Sequence, residues 1–238
     1  MTQSQASPVA IVTGASRGFG RALITALLDR GWAVVTDARR ADELKTTATE
    51  LNSPQLIALP GDVTDASHRD ALVAAAVEAG SLGLLVNNAS RLGPSPQPAL
   101  ADYEPGELWA VYQTNVFAPL ALIQAALPAL TDSAGVIVNV TSDAAVEPYP
   151  GWGGYGSSKA ALDQLSAVLA AELPGVSVYA FDPGDMRTEM HQAAFPGEDI
   201  SDRAEPEAKV PALLRLLDTR PAVGRYRADD LALSGARR

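Results

Sequence analysis

Residues 13–20 form a glycine-rich stretch, Thr13-Gly14-Ala15-Ser16-Arg17-Gly18-Phe19-Gly20, between a short apolar run and a helical pattern. The apolar run at residues 9–12 has the composition of a buried strand, and residues 21–30 place apolar side chains at helical spacing. A strand, a glycine-rich turn and a helix in this order are the layout of a nucleotide-binding βα unit. The glycines would let the backbone approach phosphate groups at the helix N-terminus, where N–H groups and the helix dipole favour anions. The competing interpretation is a plain tight turn without a ligand.

The rest of the chain repeats this alternation of strands and helices. Further apolar strands are predicted at residues 33–36, 56–59, 84–86, 136–140, 176–181 and 224–227. Helices are predicted at residues 42–51, 67–79, 107–130, 155–173 and 206–217. Such alternation indicates a parallel sheet with helices on both faces and right-handed crossovers. We therefore predict an α/β protein with a Rossmann-type doubly wound sheet of about seven strands, in a single domain that spans residues 1–238.

The composition excludes several classes of protein. At 238 residues, with 47% apolar and 19% charged residues, the chain has the make-up of one globular domain. The net charge of -10 argues against binding to a nucleic acid backbone, which needs a clustered basic surface. The absence of cysteine rules out disulfides, thiolate metal sites and cysteine nucleophiles. Only His68 and His191 are present, so no metal site is predicted, and each histidine is expected at the solvated surface.

No targeting or membrane segment is predicted. No apolar run approaches the roughly 20 residues of a membrane-spanning helix. Residues 1–8 are polar and lack the charged and apolar regions of a signal peptide, so a frayed terminus is expected there. We expect a soluble, cytoplasmic protein that binds neither a membrane nor nucleic acid.

A tyrosine and a lysine open the helical pattern at residues 155–173. Tyr155 and Lys159 are four residues apart, so their side chains emerge side by side on one helix face. A phenol ionises near pH ~10, and a neighbouring cation lowers that pKa, which would let Tyr155 act as an acid or base at neutral pH. Ser142 follows the strand at residues 136–140 and could bring its hydroxyl beside the phenol. The competing interpretation of the spacing is an exposed amphipathic helix face.

Residues suited to a ligand follow the predicted strands one after another. Such positions are Gly14, Arg39, Asp62, Asn88, Ser142 and Pro183. In doubly wound sheets the ligand lies outside the carboxyl ends of the strands, so these positions should converge on one crevice. This convergence, rather than any single motif, favours a functional site over an amphipathic surface.

The residues at the tip of the second strand distinguish between the two dinucleotides NAD and NADP. An acidic residue there binds the ribose 2′-hydroxyl of NAD, whereas an arginine accepts the 2′-phosphate of NADP. The sequence offers both, as Asp37 and as Arg39-Arg40. At the tip of the third strand, Asp62 is a candidate partner of the adenine amino group, with a solvated loop carboxylate as the alternative.

Two further segments have a functional and a structural interpretation. Asn115 is unfavourable inside a helix by propensity, so either it has a functional role or a backbone group satisfies its amide. Residues 185–205 mix apolar anchors with Pro196-Gly197 and several acids, which indicates a mobile substrate lid. A surface loop with a few buried anchors is the alternative.

With these residues in place, the chain resembles the short-chain dehydrogenase/reductase family over nearly its whole length. The matching motifs are Thr13-Gly14-x-x-x-Gly18-x-Gly20, Asp62, Asn87-Asn88-Ala89, Asn115, Ser142, Tyr155-x-x-x-Lys159 and Pro183-Gly184-x-x-x-Thr188, in this order. The resemblance implies that Tyr155 is the general acid/base and that Ser142 holds the substrate oxygen. It implies that Lys159 lowers the pKa of Tyr155 and binds the nicotinamide ribose, while the Asn115 region anchors a water that relays protons to Lys159.

The resemblance also implies where the ligands bind. The implied cofactor-binding residues are Gly14, Ser16, Arg17, Gly18, Phe19, Arg39, Asp62, Val63, Asn88, Ala89, Tyr155, Lys159, Pro183, Gly184, Met186 and Thr188. The candidate substrate-pocket residues are Asp143, Ala144, Trp152, Asp185, Met190 and Phe195. No basic residue is assured of facing that pocket, which disfavours substrates with large anionic groups.

Two positions depart from the family pattern. Ser90 stands where glycine commonly follows the Asn-Asn-Ala motif, which bears on the local loop shape. The acid of NAD-using members would fall at Ala38, and Asp37 is one residue early, on the other side of the strand. Arg39 and Arg17 match the pattern of NADP-using members. NADP(H) is therefore the expected cofactor, with NAD(H) as the alternative.

The implied activity is hydride transfer between the nicotinamide and a small-molecule carbonyl or secondary alcohol, as in a carbonyl reductase. The alternatives are an NAD-dependent alcohol dehydrogenase of the same family and a non-catalytic NADP-binding regulatory protein. Family members commonly form homodimers or homotetramers through the helices that correspond to residues 107–130 and 155–173. The second of these helices carries enough apolar surface to support that expectation.

Overall fold

The computed structural model describes residues 8–233, apart from the side chains of residues 232 and 233. Its strands are β1 (Pro8–Val12), β2 (Ala33–Ala38), β3 (Leu56–Pro60), β4 (Ser81–Asn87), β5 (Val136–Val140), β6 (Ser177–Asp182) and β7 (Gly224–Arg227). They pair in parallel in one 7-stranded sheet of order β3-β2-β1-β4-β5-β6-β7. The predicted Rossmann-type sheet is therefore confirmed. The frayed terminus predicted at residues 1–8 lies almost wholly outside the described residues.

The strand order explains where a ligand can bind. The chain moves outward from β1 to β3, returns to the opposite side of β1 at β4, and continues outward to β7. The connections that leave β1 and β4 therefore diverge and open a crevice at the carboxyl end of the sheet. The N–H of Thr13 donates to the carbonyl of Val86 at 3.1 Å, which ties the two strand tips together at this crevice.

Helices cover both faces of the sheet. They are α1 (Gly18–Asp29), α2 (Ala41–Leu51), α3 (Ala66–Ala79), α4 (Pro105–Tyr112), α5 (Ala118–Asp132), α6 (Gly153–Glu172), α7 (Glu189–Ala194), α8 (Val210–Thr219) and α9 (Ala228–Leu233). Leu23 of α1 and Leu213 of α8 belong to the apolar core on one face. Leu72 of α3 and Leu122 of α5 belong to the core on the other face. The apolar side chains of the helices are buried against a sheet that is apolar on both faces, and this burial holds the layers together.

The helix predicted at residues 107–130 contains one wide turn. α4 passes through a π-helical segment, Gln113–Phe117, into α5, and the segment carries Asn115. The combined helix, Pro105–Asp132, is long and apolar enough to cross a membrane by length and composition, which the sequence analysis did not anticipate. Half of its most apolar window is buried inside the molecule, and core helices of globular proteins meet the same criteria of length and composition.

Other differences from the predicted elements are short. The helix predicted at residues 206–217 is a 3-10 turn, Pro206–Ala208, followed by α8, whose start is set by Pro211 in its first turn. α7 lies inside the segment 185–205, and α9 follows β7 directly. The six residues of α7 and of α9 are too few to show helical periodicity in a sequence.

Candidate active site

A cleft of about 1390 Å³ opens at the carboxyl end of the sheet. Residues that follow each strand from β1 to β6 line it, so the strand-end positions named in the sequence lie around one space. The residues predicted to bind cofactor that line the cleft are Gly14, Ser16, Arg17, Gly18, Phe19, Arg39, Asp62, Val63, Asn88, Ala89, Tyr155, Lys159, Pro183, Gly184, Met186 and Thr188. This set includes every predicted cofactor-binding residue.

The glycine-rich stretch packs against the tip of β4. A Cβ on Gly14, which has φ +68°, would lie 2.8 Å from Cα of Ala89, and one on Gly20 would lie 2.5 Å from the amide nitrogen of Asn88. The Asn88 amide donates to the carbonyl of Gly14 at 3.1 Å. α1 begins at Gly18 with no side-chain cap and no acid in its first turn. Its first N–H groups and its dipole therefore suit a phosphate group.

Asp37 is buried beneath the glycine-rich stretch. Its Oδ1 accepts the N–H of Gly14 at 2.7 Å, and its Oδ2 lies 3.1 Å from Nε2 of His68. The predicted surface position of His68 is wrong, because its side chain is only 9% exposed. Gly61 makes room for the ring, since a Cβ at that position would overlap it. Both oxygens of Asp37 are thus engaged by groups of the protein.

Basic side chains meet at the end of the cleft beyond β2. Arg17 forms an ion pair with Glu189 of α7, and Arg40 lies 3.6 Å from the same carboxylate. Arg39 is exposed and lines the cleft, and it makes no hydrogen bond or ion pair within residues 8–233. A carboxylate therefore sits between cations from the glycine-rich stretch and the β2 tip, so this corner suits an anion.

Tyr155 and Lys159 stand in the first turns of α6, at the floor of the cleft. Nζ of Lys159 donates to the carbonyl of Val140 at 2.8 Å and lies 5.6 Å from the centroid of the Tyr155 ring. Ser142, just beyond β5, hydrogen-bonds the Tyr155 side chain. Its Oγ also donates to Oδ1 of Asp143 at 2.9 Å. The structure thus brings the serine, tyrosine and lysine together.

Burial dominates the electrostatics of Tyr155. Burial raises the pKa of Tyr155 well above its ordinary value, and hydrogen bonds with Ser90 and Ser142 only partly oppose it. The charge of Asp182 raises that pKa further. The sequence predicted that Lys159 would lower the pKa of Tyr155. In the protein alone the pKa of Tyr155 moves in the opposite direction, because burial removes the water that would stabilise a phenolate.

Lys159 belongs to a network of charges that the sequence analysis did not identify. Burial lowers the pKa of Lys159 to about 8, and the carboxylate of Asp163, one turn further along α6, opposes that shift. Arg225 of β7 pairs with Asp163 at 3.0 Å and with Asp182 at 2.9 Å, and donates to the carbonyl of Ser142 at 3.0 Å. Arg225 therefore joins α6 to the tips of β5 and β6. No local pattern signals such a network, because its members lie far apart in the sequence.

Asn115 is buried in the π-helical segment and its amide is fully hydrogen-bonded. Its Oδ1 accepts two hydrogen bonds, one from the N–H of Arg91 at 2.8 Å and one from the Oγ hydroxyl of Ser90 at 3.2 Å. Its Nδ2 donates to the carbonyl of Arg91 and to Oγ of Ser158, each at 2.9 Å. Asn115 therefore fixes the loop after β4 against α6. Ser90, noted in the sequence only for its effect on loop shape, contacts both Asn115 and Tyr155.

The substrate end of the cleft lies between the start of α6 and α7. The predicted substrate-pocket residues that line it are Asp143, Trp152, Asp185 and Met190. Ala144 and Phe195 lie outside the lining. Ala144 is buried against Tyr155, and the Phe195 ring packs 5.6 Å from the Trp152 ring. The last two predicted residues thus support the pocket from behind.

His191, like His68, does not lie at the solvated surface that was predicted for it. Its side chain is 10% exposed rather than solvated, and it lines the cleft. Nδ1 lies 3.8 Å from Oδ1 of Asp185, and Nε2 has no hydrogen-bond partner within the described residues. The segment 185–205, the predicted lid, thus contributes Asp185, Met190 and His191 to the lining, while its mobility stays a prediction.

The sheet topology, the glycine-rich turn and the cleft place the chain in the class of Rossmann-type folds. The sequence model of the short chain dehydrogenase family matches residues 8–199. The chain belongs to this family, which uses nicotinamide cofactors, and the predicted resemblance is confirmed.

Similar proteins of known name include two kinds of enzyme. Sepiapterin reductase of Meriones unguiculatus is 37% identical over 201 residues, which cover 78% of this chain and 77% of that protein. Serine 3-dehydrogenase of Agrobacterium fabrum is 36% identical over 185 residues, which cover 75% of this chain and 72% of that protein. A short chain dehydrogenase structure from Shigella flexneri, complexed with NADP, is 29% identical with a TM-score of 0.85 and covers 96% of this chain and 100% of its own.

Proposed function

We propose that this chain is an NADP(H)-dependent oxidoreductase that moves a hydride between the nicotinamide and a carbonyl or secondary alcohol carbon. The observation that carries the proposal is the group of Ser142, Tyr155 and buried Lys159 at the floor of the cleft, with Nζ 5.6 Å from the phenol ring centroid. Relatives named as a reductase and as a dehydrogenase support chemistry of this kind.

NADP(H) is favoured over NAD(H) by the charges at the β2 tip. Arg17 and Arg40 already share the carboxylate of Glu189, and Arg39 has no partner within residues 8–233, so a 2′-phosphate would meet cations there. The alternative acid, Asp37, has both oxygens engaged by Gly14 and His68. The similar Shigella flexneri structure complexed with NADP supports the same choice.

Each residue of the site then has a role either in proton transfer or in positioning the reacting groups. When bound, the nicotinamide gives or accepts the hydride. Because burial keeps Tyr155 protonated, its hydroxyl is a proton donor to the oxygen of a carbonyl substrate. Ser142 Oγ holds that oxygen, and the charge of Lys159 stabilises the phenolate after the proton has left. Asn115 fixes the loop that carries Ser90 beside the phenol.

The Tyr155→Phe variant tests this assignment. It keeps the ring and removes the proton donor, so kcat should fall by at least about 10²-fold while NADPH affinity stays near wild type. The measurement is NADPH oxidation with a panel of ketones, together with NADPH binding by fluorescence. Tyr226→Phe is the matched control, because its hydroxyl contacts the carbonyl of Ala222 outside the cleft.

Two results would contradict the proposal. Retention of most activity in Tyr155→Phe would remove the tyrosine from the proton-transfer step. Wild-type protein that binds NADPH and turns over no carbonyl compound would instead favour the non-catalytic regulatory alternative.

A further inference from the structure

The aromatic side chains of Trp152 and His191 line one wall of the substrate end, and Phe195 packs behind them. The Trp152 ring stands edge-on to the Tyr155 ring at 5.9 Å, with Phe195 5.6 Å from Trp152 on its other side. The Phe195 ring in turn lies 4.8 Å from the His191 ring. Such edge and offset contacts hold aromatic rings in defined orientations. A planar ring attached to the substrate carbonyl would extend this stack beside Tyr155, whereas a puckered saturated ring would make fewer contacts.

One polar atom in this wall lacks a partner. The side chain of His191 is nine-tenths buried and lines the cleft, and its Nε2 makes no hydrogen bond within the described residues. Nδ1 faces the carboxylate of Asp185 at 3.8 Å, so the two nitrogens are not equivalent. Buried polar atoms in proteins nearly always have a hydrogen-bond partner. A ligand atom is therefore the expected partner of Nε2.

The charges at this end disfavour an anionic substrate. Asp143 and Asp185 both line the cleft. Arg203 lies nearby, but it is paired with Asp185 at 3.5 Å and with Asp202 at 2.6 Å. A carboxylate or phosphate on the substrate would thus approach Asp143 and Asp185, while the nearby arginine, Arg203, already has two carboxylate partners and does not line the cleft.

We propose that the substrate is an uncharged ketone, or the matching secondary alcohol, whose carbonyl carbon is attached to an aromatic or heteroaromatic ring. The ring lies along the wall formed by Trp152, and a polar ring substituent hydrogen-bonds Nε2 of His191. This inference rests on the proposed oxidoreductase function and names the substrate class of the same site. A hydroxyl substituent suits either tautomer of His191, because it can both donate and accept.

Matched ketones test the class. The pair is acetophenone and cyclohexyl methyl ketone, which differ in the planarity of the ring. We expect kcat/KM to favour acetophenone by about tenfold, a difference of about 1.4 kcal/mol. Conjugation makes the aryl ketone the less electrophilic of the two, so intrinsic reactivity cannot produce that preference. An equal or reversed preference would overturn the planar class, and equal turnover of an acetylbenzoate would overturn the exclusion of anions.

The His191→Phe variant tests the polar contact. Acetophenones with a hydroxyl at the ortho, meta or para position are compared with acetophenone itself in both proteins. At one position the hydroxyl should improve KM relative to acetophenone by about five- to tenfold in the wild type. In His191→Phe the ratio of the two KM values should return to about one, whatever the variant does to both ketones alike. The phenyl ring keeps the contact with Phe195, so only the nitrogen is lost. A gain that survives in His191→Phe, or no gain at any position, would overturn the role of His191.

A binding measurement separates this inference from the proposed function. Calorimetry on the Tyr155→Phe protein loaded with its preferred oxidised cofactor compares methyl phenyl carbinol with methyl cyclohexyl carbinol. Tighter binding of the aryl alcohol would support the inference. If the wild type then showed no turnover, only the proposed reaction would be contradicted. Turnover in the wild type without an aryl preference in binding would sink the inference and leave the reaction standing.

Discussion

Asp37 and Arg39 lie two positions apart in the chain, yet the protein uses them in opposite ways. Asp37 is 2% exposed and supports the backbone of Gly14. Arg39, at the cleft, has no partner within residues 8–233. A buried carboxylate that accepts a backbone N–H stabilises the glycine-rich turn, whereas an unpaired guanidinium in a cleft is suited to a phosphate.

The Arg39→Ala variant tests the cofactor assignment. A charge-assisted contact is worth about 1.5 to 3 kcal/mol, so the variant should bind NADPH roughly 10- to 100-fold more weakly and NADH almost as before. The measurement is kcat/KM with both cofactors for wild type, Arg39→Ala and Asp37→Ala. Asp37→Ala should weaken both cofactors alike, because it loosens the turn. The assignment would be falsified if the wild type preferred NADH and Asp37→Ala alone changed the preference.

The buried cation of Lys159 should leave a signature in the pH dependence of stability. Its pKa falls from 10.5 in the unfolded chain to about 8 in the folded protein. Below pH 8 both states hold the proton and the folded state bears the full cost of burying the charge, while between about 8 and 10.5 only the unfolded state holds it. Folding stability contributed by this group therefore rises with pH across that window, by a total on the order of 3 kcal/mol.

Comparison with Lys159→Met isolates that contribution. Denaturant unfolding of the cofactor-free proteins is measured across the same pH range, and the stability of wild type relative to the variant should increase as pH rises. A relative stability that is flat, or that falls with pH, would show that Lys159 is not held as a desolvated cation. The tyrosines, whose raised pKa values act in the opposite direction above pH ~10, cancel in this comparison.

β7 is a short strand at the edge of the sheet, and its function in the site depends on one side chain. Arg225 joins β7 to Asp163 of α6, to Asp182 at the end of β6 and to the Ser142 carbonyl after β5. It also balances the carboxylate of Asp182, whose charge raises the pKa of Tyr155. An edge strand thereby holds the backbone of Ser142 from outside the cleft, since Arg225 does not line the cleft.

The Arg225→Met variant should impair chemistry more than cofactor binding. Unpairing Asp182 and releasing the Ser142 backbone should lower kcat by about tenfold, with the KM for NADPH near wild type, and should move the pH profile of kcat upward. Arg227→Met is the matched control, because Arg227 lies on the same strand, 3.9 Å from Asp182, and is 54% exposed. Adding Asp182→Asn to Arg225→Met should restore part of the rate. Equal effects of the two arginine variants, or an unshifted pH profile, would argue against the positioning role.

At the scale of the whole molecule, apolar side chains remain on the outer face of the helices at one side of the sheet. Trp109 is 60% exposed and its ring lies 5.7 Å from that of Phe117, which is 42% exposed. Val168 on α6 is 40% exposed. A clustered, exposed aromatic pair is unusual for a monomer and suits an interface between copies of the chain.

We expect a homodimer or homotetramer formed through the combined helix Pro105–Asp132 and α6. Trp109→Glu should dissociate it, because a buried charge in the centre of an apolar interface is costly. Val77→Glu is the control, since Val77 is 55% exposed and lies on α3, outside those two helices. Light scattering at micromolar concentration is the measurement, and a wild-type monomer under those conditions would refute the expectation.

The sequence by itself determined the parallel sheet, its strands and most of the residues that line the cleft. Hydrophobic periodicity is a local property of the sequence, so the strands could be predicted without a structure. Gly14 has a backbone conformation and a close contact that only glycine tolerates, so the glycines marked the turns. The six strand-end positions followed from the strands and the turns. The helix pair Tyr155 and Lys159 was equally accessible, because a spacing of four residues fixes a shared face.

Only the tertiary structure decided which polar groups are desolvated and with what they pair. His68 and His191 are buried rather than solvated, Asp37 accepts the N–H of Gly14 in the glycine-rich turn, and burial reverses the expected pKa shift of Tyr155. Arg225 belongs to the site only because β7 pairs with β6, which brings its side chain beside Asp182. The reason is physical: burial and charge pairing depend on groups brought together from distant parts of the chain, and no local pattern of residues encodes the loss of water around them.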